Sequence, residues 1–228
     1  MDNHEAHRVS EPFSPVDSRI EAYMRALAKA TDCAVLMAME QMARERGFPI
    51  VDRLVGLFLE SLTKLHGARK IFEFGSGYGY SAYWFARGAG PESQIICCDG
   101  DPANRKLAQR FLTQAGFWNN IDYQVGMAQD IFQATADSFD ICYNDADKGD
   151  YPEIWRMARD RIVPGGLYIA DNVLWSGRVA MVPPVQEFVQ GWTEAIHEHN
   201  CLIFSDPEFD AWINPTRDGV IVARKKSA

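Results

Sequence analysis

Three short segments concentrate the residues able to do chemistry: EFGSGYGYS at 73–81, NDADKGDY at 144–151 and ADNVLWSG at 170–177. In the first, Gly75, Gly77 and Gly79 let the chain turn sharply and present backbone N–H groups, with the start of a following helix, to a ligand. Ser76, Tyr78 and Ser81 are interleaved with them. Glu73 lies in one β-rich run and Asp99 ends the next, and a carboxylate at Asp99 can accept hydrogen bonds from a ribose diol. Gly77, Gly79 and Ala82 also satisfy the G-x-G-x-x-A dinucleotide fingerprint, so the glycines alone leave two nucleotide cofactors open. Glu73 separates them. A carboxylate there opposes a pyrophosphate and complements the ammonium of a methionine moiety, which favours S-adenosylmethionine over a nicotinamide dinucleotide.

The second and third segments each follow a β-rich run. If those strands are neighbours, Asp145, Asp171 and Asn172 converge beside the glycine loop. Two carboxylates and an amide are hard oxygen donors, suited to Mg²⁺, Mn²⁺ or Ca²⁺ and unsuited to zinc. Three protein ligands leave positions open for water or for two substrate oxygens. The alternative is that Asp145 and Asp171 cap helices and Asn172 shapes a turn.

The elements that must position these residues alternate from residue 70 onward. Strands are expected at Lys70–Phe74, Gln94–Cys98, Asp122–Val125, Phe139–Asn144 and Leu167–Ala170, with helices near Tyr80–Arg87, Pro102–Gln114, Ala128–Thr135 and Tyr151–Ile162. A helix near Pro184–Glu198 precedes two closing strands, Phe209–Ile213 and Val220–Ala223, whose short connection makes them antiparallel neighbours. The pattern describes an α/β fold: a Rossmann-like, seven-stranded, mostly parallel sheet with its last strand antiparallel and helices on both faces. Ahead of it, apolar spacing predicts one helix from an N-cap at Ser18 to Arg46 and a second from Val51 to Leu65, while residues 1–18 form a polar arm. Residues 19–228 are read as a single domain.

These three segments resemble the corresponding motifs of the cation-dependent O-methyltransferases, the catechol and caffeoyl-CoA O-methyltransferase group, in order and spacing across roughly residues 20–225. The resemblance implies an S-adenosylmethionine-binding fold, a divalent cation, Mg²⁺ foremost, at Asp145, Asp171 and Asn172, and Lys148 beside the reacting hydroxyl. It further implies that Glu73, Gly75, Ser81, Asp99 and Ala128, with its neighbours Gly126 and Met127, line the cofactor pocket, that Asp145 borders both cofactor and metal, that Trp175 lines the acceptor pocket, and that the protein is a homodimer. Departures from the family pattern fall at Tyr78, at Arg217 and in FPIVDRL (48–54), all candidates for the acceptor pocket or cofactor entrance. Catechol enzymes carry a late acidic residue near the second hydroxyl, for which Glu208 and Asp210 are the candidates.

Such a set suits the transfer of a methyl group to a phenolic hydroxyl. A phenol of pKa about 10 is about 0.1% ionised at pH 7, so about 4 kcal/mol separates it from the nucleophile. A chelated cation can supply much of that, and Lys148, lowered by neighbouring positive charge, would take the proton. The expected acceptor is a small hydroxylated aromatic; a nicotinamide-dependent oxidoreductase and a non-catalytic S-adenosylmethionine-binding module are the alternatives. With 228 residues and a formal net charge of −8, the chain has no basic face for nucleic acid or an anionic membrane. Its one basic cluster, Arg224 to Lys226, reads as a solvated tail. Five cysteines without a C-x-x-C pair form neither a disulfide framework nor a zinc site, and no long apolar run is present, which suggests a cytoplasmic protein. His197 and His199, two apart, read as surface histidines.

Overall fold

Residues 15–181 and 191–227 are described by a computed structural model. Strands β1 (Lys70–Phe74), β2 (Gln94–Asp99), β3 (Ile121–Val125), β4 (Phe139–Asn144), β5 (Ile162–Ala170), β6 (Phe209–Asn214) and β7 (Val220–Lys225) form one sheet in the order β3-β2-β1-β4-β5-β7-β6. The pairs from β3 to β5 are parallel, and β7 alone runs antiparallel to both its neighbours. The sheet is therefore the predicted one. Because β1 pairs with β2 on one side and β4 on the other, crossovers leave in opposite directions there and open a crevice at the carboxyl ends of the strands.

Eight helices are described: α1 (Ser18–Ala28), α2 (Ala34–Arg46), α3 (Arg53–His66), α4 (Tyr80–Ala89), α5 (Pro102–Gln114), α6 (Ala128–Ala134), α7 (Tyr151–Ala158) and α8 (Trp192–Ser205). Strand alternation sends Ile71, Tyr143 and Ile169 into a core shared with α2 to α5, and Phe72, Phe74 and Tyr168 into a second core shared with α6 to α8. Each face of the sheet is thus covered.

The differences from the sequence reading have local causes. The stretch 18–46 is two helices, not one, because a 3-10 turn at Lys29–Thr31 and an extended Cys33 interrupt it. Thr31 bonds its hydroxyl to the Ala28 carbonyl and Asp32 is drawn into an ion pair with Arg53, the local competition that makes these residue types poor helix interiors. Asp17, not Ser18, caps α1, its side chain accepting from the Arg19 N–H at 2.9 Å. Helix α7 stops at Ala158, and β5 starts early, at Ile162, carrying Pro164 and two glycines past a register shift against β4. Helix α8 runs to Ser205, beyond Glu198, and the expected start near Pro184 lies outside the described residues. Arg224 and Lys225 belong to β7, and Lys225 Nζ donates to the Arg159 carbonyl at 3.0 Å, so most of the basic cluster is strand and not tail. His199 is fully buried while His197 is exposed, which corrects the reading of both as surface residues. Among the described residues no helix is long and apolar enough to cross a membrane.

Helices α3 and α4 meet at Gly56, where an added Cβ would sit 2.5 Å from Trp84 Cδ1 and nearer still to Nε1 and Cε2 of the fully buried indole. Gly56→Ala in an exposed helix would stabilise by about 1 kcal/mol. Here overpacking, about 1–3 kcal/mol, opposes and outweighs that gain. Urea denaturation should show Gly56→Ala less stable than wild type by about 1–2 kcal/mol; an equal or higher midpoint would mean that Trp84 moves aside at no cost.

Candidate active site

The loops after β1, β3, β4 and β5, the end of β2, the segment Phe48–Val51 and Trp192 enclose a cleft of about 670 Å³. Of the residues expected from the sequence, Gly75, Ser76, Gly77, Tyr78, Ser81, Asp99, Gly126, Met127, Ala128, Asp145, Lys148, Asp171, Asn172 and Trp175 all line it. Glu73 and Gly79 do not. Gly79 is the N-cap of α4, turned toward Leu112 and Ala108 of α5. Glu73 lies one layer below, fully buried, accepting hydrogen bonds from Ser81 Oγ and, at 3.4 Å, from Cys97 Sγ. Burial pushes its carboxyl up to about 7 against the lowering by those donors.

The glycine loop is held by its own polar groups. Ser76 N–H donates to the Cys98 carbonyl at 2.8 Å and Ser76 Oγ accepts from the Cys98 N–H at 3.0 Å, which ties the loop to the end of β2. Gly75, at φ 81°, is required by contact: a Cβ there would be 2.7 Å from the Asp145 carbonyl. Tyr78 is buried, and its hydroxyl donates to the Met39 carbonyl at 2.9 Å, so this departure from the family pattern anchors the loop to α2. Asp99 spends Oδ1 on the Asp101 N–H and Asn104 Nδ2, at 2.8 and 3.0 Å, while Oδ2 bonds no described residue.

At the other end of the cleft, Lys148 Nζ donates to Asp145 Oδ1 at 2.9 Å, to the Tyr151 hydroxyl at 2.8 Å and to the Ala146 carbonyl at 3.3 Å. Tyr151 passes the connection on, donating to the Asp171 backbone carbonyl at 2.9 Å. Asp171 Oδ1 accepts from the Asn172 N–H at 2.8 Å. Burial, and then the Asp145 charge, push the Asp171 carboxyl up to about 7. Burial raises Asp145 as well, against the attraction of Lys148. A buried carboxylate, Asp171, and a half-buried one, Asp145, thus lie near one ammonium, which contacts Asp145 alone. Among the described residues no group of three or more His, Cys, Asp or Glu side chains could hold a metal ion; Asp145 and Asp171 line the cleft together with Asn172. Asn172, Trp175 and Ser176 all have left-handed φ, at 58°, 48° and 52°, a concentration of backbone strain beside these donors.

Several contributors were not visible in the sequence. Asp218 accepts from the Ser176 N–H and its backbone carbonyl from the Leu174 N–H at 2.9 Å, so the β6–β7 turn staples the loop carrying Asn172. Trp192 stands against Trp175 with ring centroids 5.6 Å apart. Beneath the site Asn144 Nδ2 donates to the Tyr168 hydroxyl at 3.1 Å, which meets His199 Nε2 at 3.0 Å, and Asn200 Nδ2 donates to the Val173 carbonyl at 2.8 Å. Burial pushes His199 down to about 4, so the ring is neutral at pH 7. Only the Asp218-Gly219 turn leaves a sequence signal, as the short connection between the closing strands.

Glu208 and Asp210 are not at this site. They pair with Arg159 and Lys226 at 3.4 and 3.6 Å, at the start of β6, whose direction places that end of the sheet opposite the cleft. Arg217 does not line the cleft either, whereas Phe48, Pro49, Ile50 and Val51 do.

The profile of the O-methyltransferase family matches residues 18–226. A catechol O-methyltransferase of Niastella koreensis is 32% identical over 200 residues, 85% of this chain and 88% of that protein. Caffeoyl-CoA O-methyltransferase 1 of Eucalyptus globulus is 30% identical over 75% of this chain and 73% of its own length. Among solved structures, a methyltransferase from Geobacter sulfurreducens shares 29% identity with a TM-score of 0.78, covering 93% of this chain and 98% of that one. The fold also matches the O-methyltransferase from Bacillus cereus in complex with SAH, at 24% identity and a TM-score of 0.79, covering 91% of this chain and 97% of that one. The chain belongs to the O-methyltransferase family and is built on its S-adenosylmethionine-dependent methyltransferase fold.

Proposed function

We propose that the protein transfers the methyl group of S-adenosylmethionine to one hydroxyl of a small catechol-type acceptor held at a divalent cation. The observation that carries this reading is the convergence of buried Asp171 and half-buried Asp145 beside the glycine loop, with the ammonium of Lys148 in contact with Asp145 alone. The names of the relatives, which act on catechol and on caffeoyl-CoA, support the acceptor class.

The donor set fits a hard cation: Asp145, Asp171 and the Asn172 amide would hold it, and the excess of buried negative charge favours it. Such a cation supplies charge that favours the ionised hydroxyl. The chain's own residues do the rest. Gly75 to Gly77 bring backbone against the cofactor, Asp99 offers its free oxygen to the ribose diol, and Glu73, with Ser81, places negative charge under the methionine end. Trp175 and Trp192 wall the aromatic ring and exclude water. Lys148 releases its own proton to solvent and then takes that of the hydroxyl; the oxygen lone pair forms the bond to the methyl carbon as the sulfonium C–S bond breaks, and SAH leaves. Asp145 and Tyr151 hold Lys148 at the reacting end throughout. A homodimer belongs to this reading, with Trp212, 44% exposed on the edge strand β6, as its apolar contact.

Three outcomes are expected. Chelator should abolish methyl transfer to catechol, and Mg²⁺ or Mn²⁺ should restore it; full activity in verified metal-free protein removes the cation from the mechanism. In variants, Asp171→Ala should lose activity at low Mg²⁺ and recover partly as Mg²⁺ is raised. Lys148→Ala should keep its metal affinity while the rate falls by roughly 10² to 10⁴, with partial rescue at high pH, where the acceptor ionises unaided. A wild-type rate and pH profile in Lys148→Ala would leave that residue as an ion-pair partner only. Finally, sedimentation should show a dimer that Trp212→Asp weakens, and a monomeric wild type ends the dimer reading.

A further inference from the structure

A second recess, of about 760 Å³, adjoins the cleft and shares Phe48, Pro49, Ile50, Val51 and Tyr80 with it. Its acids are already committed. Arg53 holds both oxygens of Glu40, at 2.9 and 2.8 Å, and also pairs with Asp32, while Arg25 pairs with Asp52. Three further cations on its walls are less engaged. Lys29 and Arg44 have no acidic partner among the described residues, and Arg217 has only a 3.6 Å pair with Glu21, which Arg25 Nε already occupies at 3.1 Å. In a chain of net charge −8, this is a local surplus of positive charge, with Lys29 and Arg44 lacking an acidic partner among the described residues.

Its place is as telling as its charge. Arg217 immediately precedes Asp218, which anchors the Ser176 N–H and whose charge bears on Asp171. One residue of the β6–β7 turn therefore stands at the reacting end and its neighbour lines the recess. An acceptor whose hydroxyl lies at Lys148 has this recess beside its far end, across the rim made by Phe48 to Val51.

We propose that the recess is an anion subsite for the acceptor, taking a carboxylate carried on a short tail from the ring, with Arg217, Arg44 and Lys29 as its cations. This rests on the acceptor site described under Proposed function. Like-charge repulsion at the same residues disfavours amine-bearing catechols.

The test compares catechol, dihydroxyphenylpropanoate and dihydroxyphenylethylamine, by kcat/KM and by calorimetric binding to protein carrying SAH and Mg²⁺. The propanoate should exceed catechol by about tenfold at low ionic strength and the amine should fall below it, with the preference shrinking in high salt. Arg217→Asn suits the φ of 57° at that position, and Arg44→Gln removes a cation from an exposed helix face. Each should lower the propanoate-to-catechol ratio by about threefold and the double variant should bring it near one; melting temperatures check that both fold. A wild-type ratio near one, or a ratio unchanged in the double variant, overturns the subsite. Failure to methylate catechol overturns the underlying reading instead, and the binding measurement still decides the subsite on its own.

Discussion

Asp145 and Asp171 follow the ends of β4 and β5, and the pairing of Asn144 with Ala170 fixes them side by side. Holding two like charges together, with Asp171 buried and Asp145 half-buried, is costly, and the surrounding structure is arranged around that cost. Lys148 offsets part of it through its 2.9 Å contact with Asp145, and the Asn172 N–H part through Asp171 Oδ1. What is left raises Asp171 from its ordinary value to about 7. A carboxyl raised on folding contributes stability below its unfolded pKa and loses it as pH rises through the folded one. For Asp171 that interval runs from 3.8 to about 7, so at neutral pH the charged site opposes folding and the packing of the two cores must carry it.

That packing is close where the site needs it. Gly75 brings the loop after β1 against the Asp145 carbonyl, which no side chain at 75 would permit. The Asp145 N–H in turn donates to the Phe74 carbonyl at 2.9 Å, continuing the β1–β4 ladder one residue past the strand. Cofactor loop and carboxylate loop are therefore one rigid unit. Tyr151 extends the unit to β5, since its hydroxyl lies between Lys148 and the Asp171 carbonyl. The neutral His199, edge-on to the Tyr151 ring with centroids 5.1 Å apart, supports it from α8.

The parts legible in the sequence were those encoded locally: the glycine turn, the alternation of strands and helices, and polar residues just beyond strand ends. Their places just after two strand ends bring Asp145 and Asp171 together on the condition that those strands are neighbours, which the β4–β5 pairing meets. The parts that were not legible depend on separations along the chain that no local pattern records. Asn144, Tyr168 and His199 come from three elements, and His199 reads as a surface residue until α8 is packed against Tyr168. Glu208 and Asp210 failed for a related reason: they enter a strand that Asn214 leaves, and only the sheet's direction says which end faces the cleft. The break at Thr31–Cys33 was hidden because apolar spacing on both sides of it is helical.

The two ends of the cleft are held by forces of different strength, and this bears on how the molecule can change its acceptor. The reacting end depends on strand register and on buried hydrogen bonds, where loss of one partner leaves a charge or a polar group without water and costs several kcal/mol. The far end is bounded by Phe48 to Val51, and the recess beyond it by Arg217, whose ion pair with Glu21 is partly exposed. Pairs of that kind contribute at most about 1 kcal/mol each. Replacing them leaves the fold and the chemistry standing while redrawing the surface that an acceptor's tail meets. The surface formed by Phe48 to Val51 and by Arg217 can therefore change without disturbing the carboxylates, whereas Asp218, which holds the Ser176 N–H, and Gly75, Asn144 and Tyr151 are tied to the loops that carry them.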